Sequence, residues 1–261
     1  MFLTEVRRQH LPAQDAWRII IKLLLTCEVW SDRTWKDLHG QPVFREKNDY
    51  ELLKNGQPNT ALKEATLQGD YIAKELDISR ADLCQHIGSY LKPIGKQPNN
   101  LRGHAFRSIV SAYLAEFGDP ELDILEEQDP HKIFPGISFP HRSPKARVDI
   151  AVYRNSNLVC LCSARWSYRH DRVELLEEAT TYMPPARRIN EKCQFFGVTA
   201  EMNPARLMKV INQTTPVLAH AAMTRLVHVH PPLGSTVINH NGGLAHLWSL
   251  ADWAADSFNW R

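Results

Sequence analysis

Two runs of strand-forming residues around a short turn constrain this chain more than any other feature. Arg147-Val148-Asp149-Ile150-Ala151-Val152-Tyr153 and Leu158-Val159-Cys160-Leu161-Cys162 are rich in β-branched and large apolar side chains, and Asn155-Ser156-Asn157 between them is turn chemistry. The pattern predicts an antiparallel hairpin. With Ser156 at its centre, Asp149 falls opposite Ser163. Side chains alternate along a strand, so Ser163 and Arg165 are expected on one side of the sheet, with Asp149 on the matching edge. A carboxylate beside a cation is an arrangement suited to phosphodiester cleavage. Just downstream, Arg169-His170-Asp171-Arg172 sets two arginines around an aspartate, a combination that matches the edges of G·C pairs in a DNA major groove.

The flanking segments predict the rest of an α/β domain. Phe106, Ile109, Val110, Tyr113, Leu114 and Phe117 mark one buried face of a helix ending at Gly118. After the hairpin, Val173 to Met183 reads as a helix stopped by Pro184-Pro185, Gln194 to Thr199 as a buried strand, Pro204 to Ile211 as a helix and Thr224 to His230 as a further strand. A helix, a hairpin, a crossover helix and another strand make a mixed sheet flanked by helices. Leu244 to Trp253, with Leu247, Trp248, Leu250 and Trp253, reads as a closing helix that docks on the core, with a subunit interface as the alternative.

The amino-terminal part is expected to be helical. Trp17, Ile20, Ile21, Leu24 and Leu25 recur at helical spacing, and 59–76 and 80–91 read as further helices, the latter capped by Ser79. Lys92 to Asn100 carries two prolines and a glycine and is the expected boundary, giving a helical region over 1–97 and a larger domain over 98–261. With 43% hydrophobic and 23% charged residues the chain is an ordinary globular protein, and a net charge of +2 means that DNA binding has to come from clustered cations. Five scattered cysteines form neither a disulfide framework nor a zinc pattern, as suits a reducing cytoplasm. Met1 to Arg8 lacks the apolar run of a signal peptide, and Ile19 to Leu25 is too short to span a bilayer, so no membrane association is expected.

These motifs resemble the PD-(D/E)xK nuclease superfamily and, within it, the type II restriction endonucleases that recognise CCGG-containing sites, where the middle acid is often Ser and a glutamate of the next helix replaces it. The likeness runs from Asn99 to Arg225. It implies an αβββαβ core with a five-stranded mixed sheet, Mg2+ as cofactor, and double-stranded DNA as substrate for a two-fold homodimer or a tetramer. It further implies Asp149, Ser163, Arg165 and Glu178 as catalytic residues, with Asp149, the Ala164 carbonyl and Glu178, or alternatively Glu177, as metal ligands. Arg169, His170, Asp171 and Arg172 correspond to the base-reading motif. Three positions depart from the pattern: the family's lysine is Arg165, the proline before the aspartate is Val148, and a glutamate common on the preceding helix is Arg107. Arginine stays protonated and is a poor general base, though it can hold a phosphate oxygen.

Plainer readings exist for each group. Asp149 also fits a solvent-facing strand position, and Asp171 with Glu174 fits a helix capping box, which would leave Arg169 and Arg172 as surface cations. Trp166 reads as core, and His170 as a phosphate or solvent contact. His228 and His230, on one strand face with His220, His240 and His246 nearby, lack the carboxylate or thiolate of a recognisable metal pattern. Two other functions fit parts of the pattern: a DNA-binding protein that keeps the nuclease fold without cleavage, and a structure-specific repair nuclease, which needs no base-reading cluster.

Overall fold

The computed structural model describes residues 2–26, 96–139, 146–166, 174–201, 223–231 and 247–261, with isolated positions at 74, 77, 79, 207, 210 and 211. Helices expected over 59–76 and 80–91 lie almost wholly outside these residues. In chain order the described elements are α1 (Phe2–Arg8), α2 (Trp17–Thr26), α3 (Lys96–Phe117), β1 (Leu122–Gln128), α4 (Pro130–Ile133), β2 (Val148–Arg154), β3 (Asn157–Arg165), α5 (Glu174–Ile189), β4 (Gln194–Thr199), β5 (Arg225–His228), β6 (Leu247–Ser249) and α6 (Leu250–Asp256).

The strands form one six-stranded mixed sheet in the order β1-β2-β3-β4-β5-β6. The first three are antiparallel neighbours, and β3 through β6 run parallel. Alternate side chains feed two cores. Ile150, Val152, Cys160, Cys162, Phe196, Val198 and Val227 face α1, α2, α3 and α6. Ala151, Leu158, Leu161, Phe195 and Leu226 face α5 and the helical positions Leu207, Val210 and Ile211. The amino-terminal Phe2, Val6, Trp17, Ile20 and Ile21 belong to the first of these cores, beside Phe106 and Tyr113 of α3.

Several elements differ from the sequence reading, each for a local reason. The expected boundary at Lys92 to Asn100 is helical from Lys96 onward, because Pro98 sits in the first turn of α3, where N–H groups have no intrahelical acceptor. Pro184 and Pro185 do not stop α5, which continues to Ile189. Its buried stripe of Leu175, Ala179, Tyr182, Met183 and Ala186 runs straight across the proline pair, so packing outweighs the loss of helical hydrogen bonds there. The sheet has six strands where five were expected, since Leu247 to Ser249 pairs with β5 and does not begin the closing helix. Ser249 and Asp252 form a reciprocal capping box that fixes the helix start at Leu250. α6 then docks inward through Leu250 and Trp253.

The hairpin is built differently from its simplest reading. Asn155 and Ser156 both adopt left-handed backbone conformations, with φ of 48° and 66°, so the loop has two residues and is closed by Arg154 opposite Asn157. Tyr153 pairs with Leu158 but Val152 pairs with Cys160, which leaves Val159 as an extra residue in a β-bulge. From there the pairing runs Ala151 with Leu161 and Ile150 with Cys162, which carries Asp149 to Ser163.

Candidate active site

At the Arg165 end of β3 the hairpin opens, and the Asp149 side chain takes over from the backbone ladder. Its Oδ2 accepts a hydrogen bond from the Ala164 N–H at 3.0 Å, and the Ser163 hydroxyl lies 3.5 Å from the same oxygen. N–H and C=O of one strand residue point to the same side, so the Ala164 carbonyl is directed toward the Asp149 edge as well. Arg165 projects to the α5 side. Its Nη2 donates to Glu178 Oε1 at 2.5 Å and stands 3.9 Å from Asp149 Oδ2. One nitrogen thus bridges two carboxylates from different elements.

α5 supplies Glu178 by its rotation. The Glu178 side chain is 6% exposed, whereas Glu177, one position earlier and about 100° around the helix, faces solvent. The helix can lie this close to the sheet because β4 carries Gly197 beside Ser163, under Leu175. Asp149 itself is 14% exposed. Burial pushes its carboxyl above the ordinary aspartate range, the neighbouring Glu178 charge adds to the rise, and Arg165, the Ala164 N–H and Arg107 pull against it.

A second charged group adjoins the first. Arg107 of α3 donates from Nε to Glu126 at 3.2 Å and from Nη1 to Glu127 at 2.8 Å. Ser108 donates to Glu126, and His104 Nδ1 lies 3.0 Å from Glu127. Glu126 pairs with Ile150 and Gln128 with Val148, so Glu127 lies on β1 next to Asp149. Its backbone is left-handed, with φ of 51°, a conformation that costs a non-glycine residue about 1–2 kcal/mol. The contacts with Arg107 and His104 hold it there. Sequence reading singled out Arg107 but missed Glu126, Glu127, His104 and Ser108, because nothing local in Leu122–Gln128 marks its consecutive acids as partners of a distant helix.

Of the residues selected from sequence, Asp149, Ser163, Ala164, Arg165 and Glu178 come together, and Glu177 stays outside. Arg169, His170, Asp171 and Arg172 lie outside the described residues. Trp166 is buried in the core. His228 is fully buried and donates from Nε2 to the Glu201 carbonyl at 3.0 Å while its Nδ1 accepts the His230 N–H. His230 stacks on Trp17 with 3.7 Å between ring centroids. Both rings are engaged in packing and backbone contacts. His220, His240 and His246 lie outside the described residues.

Oxygen donors of this kind suit a hard divalent cation. The Asp149 and Glu178 carboxylates both lie within reach of one cationic nitrogen, a placement from which the two could share a cation. Comparison with known protein families, with curated proteins and with solved structures finds no match to the chain.

Proposed function

We propose that this chain is a Mg2+-dependent endonuclease that cuts double-stranded DNA at a palindromic site containing CCGG, of the type II restriction class within the PD-(D/E)xK superfamily. The observation that carries the reading is the convergence of Asp149, the Ala164 backbone, Arg165 and Glu178 at one end of a β2–β3 hairpin. The order α3, β1, β2, β3, α5, β4, with the four-residue α4 inserted between β1 and β2, supports it, since it follows the αβββαβ succession of that superfamily.

Asp149 and Glu178, with the Ala164 carbonyl, would hold the cation. When bound, Mg2+ lowers the pKa of its water and offsets charge growing on the phosphoryl oxygens. Arg165 keeps its charge at any working pH, so its part is to hold a non-bridging phosphate oxygen and orient the attacking hydroxide. Ser163 fills the place of the middle acid and steadies Asp149. Arg169, Asp171 and Arg172 would read guanine and cytosine edges, with His170 at the backbone. A palindrome read from both strands calls for a two-fold homodimer, or a pair of such dimers.

The free thiols of Cys160, Cys162 and Cys193 are buried, in keeping with a cytoplasmic setting. Among the described residues no helix is long and apolar enough to cross a membrane.

A specific observation favours one alternative, a DNA-binding protein without cleavage: Arg165 fills the space between the two acids. Incubating the purified protein with plasmid DNA and Mg2+ separates the cases. Discrete fragments ending at CCGG-containing sites are expected. Binding without cuts would favour the scaffold, and sequence-blind degradation a repair enzyme.

A further inference from the structure

We propose that Arg165 is the resident counter-cation of the Asp149–Glu178 pair in the DNA-free protein, and that a DNA phosphate must draw it away before a divalent cation can enter. The inference rests on the nuclease reading above and adds to it an order of assembly.

Two carboxylates 14% and 6% exposed are held close together, and buried anions persist only with a compensating charge. Arg165 supplies that charge from a single nitrogen. A lysine in its place could give up its proton and withdraw. An arginine cannot, because it remains charged over the whole accessible pH range. Vacating the seat therefore requires the side chain to move and to find another anion. The Arg165 side chain is 30% exposed, so part of it already meets solvent and whatever binds there. A phosphodiester is a suitable acceptor, since guanidinium and phosphate form paired, charge-assisted hydrogen bonds. Arg107 offers no substitute for Arg165, being held by Glu126 and Glu127 on the opposite side of Asp149.

Such an exchange couples two ligands. If DNA phosphate raises divalent-cation affinity, the cation raises DNA affinity by the same factor, and couplings of this kind span about 5- to 150-fold. A protein free of DNA would stay free of metal and carry no armed site.

The test is Mn2+ binding by the full chain, followed by calorimetry or paramagnetic resonance. The parent should bind Mn2+ at least about fivefold more tightly with duplex DNA present than without it. Arg165→Met, which keeps the stem and removes the charge, should bind Mn2+ without DNA at least about fivefold more tightly than the parent. Equal Mn2+ affinity with and without DNA in the parent overturns the exchange, a result that does not depend on whether Arg165→Met folds. If the parent cuts plasmid at discrete sites yet shows that equality, the exchange fails alone and the nuclease reading stands. Absence of both Mn2+ binding and cleavage under every condition overturns the two together.

Discussion

Gly197 of β4 lies directly beneath Leu175 of α5: a Cβ on the glycine would stand 2.6 Å from Leu175 Cδ2 and 2.8 Å from Cδ1. The missing side chain lets the helix rest on the sheet, one turn ahead of Glu178.

Replacing Gly197 by Ala should therefore act on stability and on the site together. Overpacking of this kind costs about 1–3 kcal/mol. Chemical denaturation should report that loss, and cleavage by the folded fraction should fall as Glu178 moves outward from Arg165. Unchanged denaturation midpoint and rate would mean that Leu175 repacks without displacing the helix.

Asp149→Asn should abolish cleavage without lowering stability at pH 8. Burial outweighs the attraction of Arg165 and raises the Asp149 carboxyl, so its ionised form opposes folding. A raised folded-state pKa gives stability that is complete below the unfolded value and is lost as pH rises through the folded one. The asparagine variant escapes that loss while its side-chain oxygen still accepts the Ala164 N–H. A variant that melts well below the parent at pH 8 would show that the ion pair with Arg165 dominates.

Acid should weaken the fold through His228 and His230. Burial lowers the pKa of both, that of His230 to about 3, with the His228 and Arg18 charges adding to the drop. Their unfolded counterparts bind protons below about pH 6.5, so stability should decline as pH falls through that value. The decline is at most about 1.4 kcal/mol per pH unit for each histidine and smaller for the partly exposed His230. His230→Phe keeps a ring against Trp17 and should flatten part of the slope. Urea midpoints identical from pH 8 to pH 5 would contradict this.

Restoring the lysine of the resembled family by Arg165→Lys should raise the cleavage rate. A lysine held near two carboxylates can exchange a proton, and positioned acid–base groups contribute about 10²- to 10⁴-fold. A rate no higher than the parent's would locate the limiting step elsewhere.

Arg172→Ala should relax or abolish site choice, since a bidentate contact to guanine discriminates by about 1–3 kcal/mol. An unchanged fragment pattern on plasmid DNA would favour the helix-capping interpretation of Asp171, with Arg172 as a surface cation.

The hairpin and the face shared by Ser163 and Arg165 were legible because strand alternation is a short-range rule. Glu178 was legible by resemblance, and its inward rotation relative to Glu177 follows from helix geometry. Asp149 was placed opposite Ser163 through a three-residue turn centred on Ser156, yet the molecule reaches that placement with a shorter turn and a compensating bulge. The neighbouring charges escaped detection. Glu127 meets Arg107 and His104 through a left-handed backbone angle within a strand, and no local propensity announces such an angle at a glutamate. Pro184 and Pro185 misled for the converse reason, a strong local signal overridden by the packing of Tyr182, Met183 and Ala186.

Val159 has no partner on β2, and the surplus residue decides which of two hairpins forms. The same letters zipped from Asn155-Ser156 without a bulge would set Cys162 across from Asp149 and turn Ser163 and Arg165 toward the wrong layer of helices. That hairpin would be well formed and would leave these side chains apart. The convergence of Asp149 with Ser163 and Arg165 is thus encoded in a miscount, and substitutions at Val159 that never touch a charged atom have the means to erase it.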